Sequence, residues 1–153
     1  MKKSDKIPHL RVSVVRDASV MRPGKGAAVA DCPRAVAEIA RQFVPEGEER
    51  EHFMMVMMDA RRTVKSVTVV SIGTQTASLV HPRECFRPAI VAGAAAVVAV
   101  HNHPSGDPTP SSEDREVTRR LSRAGELLGI PLSDHVVLGA DGAYFSFREN
   151  GIL

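Results

Sequence analysis

The chain has 153 residues, 43% of them hydrophobic and 25% charged. That is enough for one domain with a real core and too few for two, and it excludes a disordered or collagen-like chain. The formal net charge of +2 is too small to demand a nucleic-acid partner, and no apolar run reaches the length that spans a bilayer.

Residues 1–31 read as a basic N-terminal extension with a peripheral strand at residues 10–15, where Leu10, Val12 and Val14 alternate loosely. Residues 1–44 carry nine Lys/Arg against four Asp/Glu, and the rest of the chain carries 11 against 14. Such an excess is ordinarily a solvated flank; an anionic partner is the lesser reading. No signal-peptide core follows Met1-Lys2-Lys3. Cys32 and Cys85 stand far apart, outside any C-x-x-C pattern, which fits a reducing cytoplasm. Both read as small core residues. Residues 21–26 read as an exposed loop.

Asp31-Cys32-Pro33 suits a helix start. Ala35, Val36, Ile39, Ala40 and Phe43 then recur at helical spacing as far as Val44, and Pro45-Glu46-Gly47 stops them. Residues 53–58 form a continuous apolar strand. Residues 63–72 are rich in β-formers and close at Gly73, so the two segments make a hairpin turning at residues 59–62. Residues 82–96 start as a helix and continue as a small-residue face suited to close packing on a sheet. Residues 97–101 follow as a buried strand. Residues 111–128 read as a long helix with Val117, Leu121, Ala124, Leu127 and Leu128 on one side. Gly129 suits its left-handed terminus and Pro131 bars continuation. Residues 134–138 and 143–147 make a last hairpin around residues 139–142. Helices and strands so mixed predict an α/β sandwich on a mixed sheet.

The chemistry gathers at His101-Asn102-His103, Ser111 and Asp114. Alternation along a strand puts residues i and i+2 on one face, so His101 and His103 project together from the strand's end. Ser111 opens a helix and Asp114 sits in its first turn. Two imidazoles and a carboxylate with a fourth position open are what a hydrolytic zinc centre needs. Each piece has a plainer reading. A histidine at a strand end commonly just meets solvent, and Ser111-x-x-Asp114 is an acidic capping box that needs no metal. The conjunction weighs more: H-x-H-x7-S-x2-D arises by chance on the order of once in a thousand chains of this length. Capping also fixes the turn that carries Asp114, so the two readings are compatible.

With an upstream glutamate, this pattern resembles the signature of the JAB/MPN (JAMM) zinc metalloprotease family. It is more similar still to the RadC-like branch, through His81-Pro-Arg-Glu84, His101-Asn-His-Pro-Ser-Gly-Asp-Pro108, Pro110-Ser111 and Ser133-Asp-His135. The resemblance covers roughly residues 32–153. It implies a cytidine deaminase-like mixed sheet sandwiched by helices. It implies that His101, His103 and Asp114 ligate Zn2+, with water in the fourth position, and that Ser111 helps hold an oxyanion. It also implies a glutamate as general base. Glu51, at the opening of the 53–58 strand, is the leading candidate, with Glu49 and Glu84 as rivals. His135 and His81 read as structural supports, because three protein ligands already complete an open zinc site.

The implied activity is zinc-dependent hydrolysis of amide bonds in a peptide or protein substrate, peptidase- or isopeptidase-like. The short connections leave no insert to clamp a folded partner such as ubiquitin. The alternative is a DNA-associated repair module, with or without hydrolase activity. The chain has no helix-turn-helix, zinc-finger or aromatic-stacking pattern. Longer RadC-like chains carry a helix-hairpin-helix region ahead of this domain; residues 1–31 have no room for one, so no DNA role carries over with it. A zinc-stabilised scaffold without catalysis is a third reading, disfavoured by the complete ligand set. No membrane partner is expected, and oligomeric state is open.

Overall fold

The computed structural model describes residues 28–73 and 80–153. The strand expected at residues 10–15 and the loop at residues 21–26 lie outside the described residues. Among the described residues, five strands form one mixed sheet. In chain order they are β1 (Glu51–Met58), β2 (Val64–Gly73), β3 (Ala96–Asn102), β4 (Leu132–Leu138) and β5 (Tyr144–Ser146). Across the sheet they run β2-β1-β3-β4-β5. β3 and β4 are parallel and the other neighbours are antiparallel.

Helices cover both faces. α1 (Pro33–Arg41) lies on one; α2 (Pro82–Val91) and α3 (Ser112–Leu128) lie on the other. That two-sided cover explains why β1 and β3 lack alternation in their apolar runs: both of their faces are buried. Met54, Val56 and Met58 pack with Val36, Ala37 and Ala40 of α1. Phe53, Met55 and Met57 point the other way, to Phe86 and Ala89 of α2 and Val117 and Leu121 of α3. The α/β sandwich expected from the chain is thus the fold observed.

The β1–β2 turn sits where the spacing placed it. The Asp59 carboxylate accepts from the Arg61 and Thr63 N–H groups at 2.8 and 2.9 Å, closing an Asx-type turn. α1 stops at Arg41 and not at Val44. The next residues tighten into three-residue turns, with Phe43 N–H bonded to the Ala40 carbonyl and Val44 N–H to that of Arg41. Pro45 disfavours helical backbone at the residue before it.

Three side chains differ from expectation. Leu127 and Leu128, placed on the apolar side of α3, are 89% and 45% exposed. The chain reverses at Gly129 (φ 68°) and inserts Ile130 into the core in their stead, with the Ile130 N–H on the Gly125 carbonyl. Cys32, expected inside, is exposed because it precedes the first turn of α1; Cys85 is buried in α2. Burial pushes the Cys85 thiol up to about 12. Among the described residues, no helix is long and apolar enough to cross a membrane.

Candidate metal centre

β3 aims the first imidazole. Val97, Ala99 and His101 alternate onto the α2/α3 side, and His101 is fully buried beside Phe53, its partner in the β1–β3 ladder. Their rings stack at 5.9 Å between centroids. His103 lies one residue past the end of β3, yet its N–H still bonds the Leu138 carbonyl at 2.9 Å. Extended pairing with β4 therefore continues through residue 103, which preserves the i, i+2 relation.

α3 aims the carboxylate. Ser111 is its N-cap: Oγ accepts from the Asp114 N–H at 3.1 Å, and Asp114 Oδ2 accepts from the Ser111 N–H at 2.7 Å. The capping box is real, and it turns Asp114 toward the end of β3. The Ser111 hydroxyl also donates to Asp114 Oδ2 at 2.8 Å.

The three side chains converge. His101 Nε2 lies 3.0 Å from His103 Nε2 and 3.1 Å from Asp114 Oδ1, and His103 Nε2 lies 3.3 Å from Asp114 Oδ2. Taking one ligand atom from each residue, all three lie within 4.8 Å of one another. Ligands about 2.0–2.1 Å from a tetrahedral Zn2+ stand about 3.3 Å apart, so these residues fit that ion in donor type and in spacing. Burial opposes charge on Asp114, but the imidazoles of His101 and His103 outweigh it and hold its carboxyl well below the usual carboxylate range. The Asp114 carboxylate in turn raises the His103 imidazole against its own partial burial.

Both imidazoles are held by their far nitrogens. His103 Nδ1–H donates to the Asp107 carbonyl at 2.8 Å, inside the loop of residues 103–110. That loop leans on Gly139. The Ala140 N–H bonds the Gly106 carbonyl at 2.8 Å, and a Cβ on Gly139 would stand 2.6 Å from that same carbonyl oxygen and 2.8 Å from Pro108 Cδ. His101 Nδ1 lies 2.9 Å from His135 Nε2. His135 is fully buried, its ring stacked on Phe147 at 4.9 Å. Burial holds that imidazole well below its ordinary pKa and so favours its neutral form.

A cleft of about 380 Å3 opens beside this cluster, with Glu51, His103, Ser111 and Asp114 among its walls. Glu51 opens β1 two residues before Phe53, hence on the face that carries His101. Glu113, in the first turn of α3, also lines the cleft; the rival acids expected from the sequence do not. Glu84 accepts from Arg83 and Arg87 at the start of α2. Glu48 accepts from Arg50, and His52 Nε2 lies 2.9 Å from it. Neither Glu84 nor Glu49 lines the cleft. His81 precedes α2 as its N-cap, outside the cluster.

A family profile described as "RadC-like JAB domain" matches residues 30–152. The chain belongs to that family. A UPF0758 protein of Desulfitobacterium hafniense is 52% identical over 105 residues, which is 69% of this chain and 46% of that protein. UPF0758 proteins of Symbiobacterium thermophilum (57% over 103 residues, 67% and 44%) and Thermotoga maritima (52% over 105 residues, 69% and 47%) are similar too. The chain spans about half the length of the curated relatives it matches.

Three residues at or beside the site went unread in the sequence. Thr118 follows Asp114 by one helical turn, and that spacing alone pointed to it. Asn102 lies between the two histidines and bonds the start of β1. His52 pairs with Glu48 across a loop; no local pattern announces that contact.

Proposed function

We propose that this RadC-like JAB domain is a zinc-dependent hydrolase of amide bonds, acting on a peptide or protein chain. The convergence of His101, His103 and Asp114 on one point, in a cleft that also holds Glu51 and Ser111, carries this reading.

His101, His103 and Asp114 would hold the ion. Bound there, Zn2+ supplies Lewis acidity that polarises a carbonyl and acidifies water. Glu51 serves as general base: its carboxylate takes a proton from the attacking water and returns it to the leaving amine. Ser111 supports the oxyanion that forms as the carbonyl carbon becomes tetrahedral. Its hydroxyl donates to Asp114 Oδ2 in the free site. Rotation about the Cβ–Oγ bond redirects that proton to the substrate. The cleft of about 380 Å3 falls in the size range of ligand sites and leaves room for a substrate group beside His103 and Asp114.

The test is digestion of a peptide library by the zinc-loaded protein, read by mass spectrometry, beside Glu51→Gln. Cleavage by the wild type, lost in a Glu51→Gln variant that keeps its zinc, is the expected result. Equal cleavage by the variant removes Glu51 from the mechanism, and a zinc-loaded wild type inert to peptides and isopeptides removes the activity.

The DNA-associated reading rests on the excess of basic residues in 1–44. Binding by such charge is non-specific and falls steeply with salt. A duplex titration at two salt concentrations tests it, and absence of binding at low salt ends it.

A further inference from the structure

We propose that Thr118 and His135 set the tautomer of His101, so that its Nε2 presents a bare lone pair to the metal site. This rests on the metal-binding reading above and adds two positioning residues to it.

The argument is a count of protons along one chain of contacts. It starts at the Asp114 main-chain carbonyl, which can only accept. Thr118 Oγ1 lies 2.6 Å from that oxygen and 2.6 Å from His135 Nδ1. A hydroxyl has one proton, and the carbonyl has none to offer, so the Thr118 proton goes to the carbonyl. Thr118 Oγ1 is left as an acceptor toward His135, whose Nδ1 therefore carries the hydrogen. A neutral imidazole has one N–H. His135 Nε2 is then an acceptor, 2.9 Å from His101 Nδ1. The hydrogen of His101 is drawn to Nδ1, and Nε2 is left bare. That is the atom 3.0 Å from His103 Nε2 and 3.1 Å from Asp114 Oδ1.

Solvent has no part in this ordering. Thr118 is 2% exposed, and His135 and His101 are 0%. The two nitrogens of His135 are taken by Thr118 and His101, and its ring is enclosed between Phe53 and Phe147. His103 reaches the same tautomer by a separate route, the bond from its Nδ1–H to Asp107. Asp114 thus acts twice: its carboxylate would face the ion, and its backbone carbonyl starts the series that readies His101. A reversed series would put the His101 hydrogen on Nε2, where it blocks metal binding.

Thr118→Val keeps the side-chain shape and removes the hydroxyl. His135 Nδ1–H then has no acceptor, its hydrogen shifts to Nε2, and the His101 tautomer turns over. Zinc affinity, measured by competition with a chromogenic chelator, is expected to fall about 10–100-fold. Thr118→Ser restores it. A purely structural role would lower the melting temperature of the metal-free protein and leave zinc affinity alone. Long-range 1H–15N spectra of metal-free wild type, taken above the titration range of histidine, read the tautomers directly. Nδ1–H at both His101 and His135 is the expected result. Nε2–H at His101, or unchanged zinc affinity in Thr118→Val, overturns the proposal. Wild type that shows both Nδ1–H tautomers yet takes up no zinc upholds the tautomer assignment and sinks the metal reading instead.

Discussion

The side chain of Asn102 grips the main chain on both sides of Glu51. Its Oδ1 accepts from the His52 N–H at 2.8 Å, and its Nδ2 donates to the Arg50 carbonyl at 3.1 Å. The β1–β3 ladder ends at the pair Phe53 and His101, and Asn102 continues it by one step with a side chain. The residue between the two histidines thus anchors the backbone that carries the proposed base.

Asn102→Ala removes both bonds and leaves the buried His52 N–H unpaired, at about 1–3 kcal/mol. On the proposed mechanism, kcat falls by about 10–100-fold through misplacement of Glu51, while zinc content stays stoichiometric. Paired kinetics and metal analysis check this. Full activity in the variant would remove Asn102 from any positioning role.

His103→Ala and Asp114→Ala are each expected to abolish zinc retention while the fold survives. Asp114→Asn is the milder control, since it keeps the side-chain shape. Metal analysis by mass spectrometry on purified protein, with circular dichroism for the fold, settles the matter. Stoichiometric zinc in either alanine variant contradicts the ligand assignment.

Gly139→Val is expected to weaken zinc binding without touching a ligand. A Cβ there meets the Gly106 carbonyl oxygen at 2.6 Å, so the loop that seats His103 must shift. An affinity loss of about tenfold is the expected scale for disturbing the support of a ligand. Chelator competition measures it, and unchanged affinity would show that the loop accommodates the clash.

On the metal-binding reading, metal removal is expected to lower stability by linkage. With free zinc at about 1,000 times its Kd, the bound form would gain about 4 kcal/mol over the metal-free form. Calorimetry with and without a chelator is expected to show a melting temperature that rises with zinc concentration. A melting temperature indifferent to zinc would count against a site present only in the folded chain.

The two cysteines predict a thiol count. Exposed Cys32 reacts with an aromatic disulfide reagent in the native protein, whereas Cys85 is buried and its thiol is pushed up to about 12. One fast thiol is expected, and a second only on unfolding. Two fast thiols would mean that α2 opens readily.

What the chain determined by itself was local. Strand alternation paired His101 with His103, and the three-residue spacing of a capping box turned Asp114 toward them; both follow from backbone periods of about two and 3.6 residues. The apolar runs of β1 and β3 were legible by their length and composition, and the Asp59 turn and the Gly129 terminus by turn chemistry. Tertiary structure decided the rest. The β1–β3 register sets Glu51 in the cleft and leaves Glu84 with its arginines on α2. The sheet's parallel pairing of β3 with β4 brings His135 against His101, where Thr118 also meets it. Leu127 stays outside because the chain reverses at Gly129 before a further turn can be covered. Period is a property of neighbours along the chain, whereas register is chosen by how two buried faces interlock across a sheet, and that choice exists only once the layers have packed.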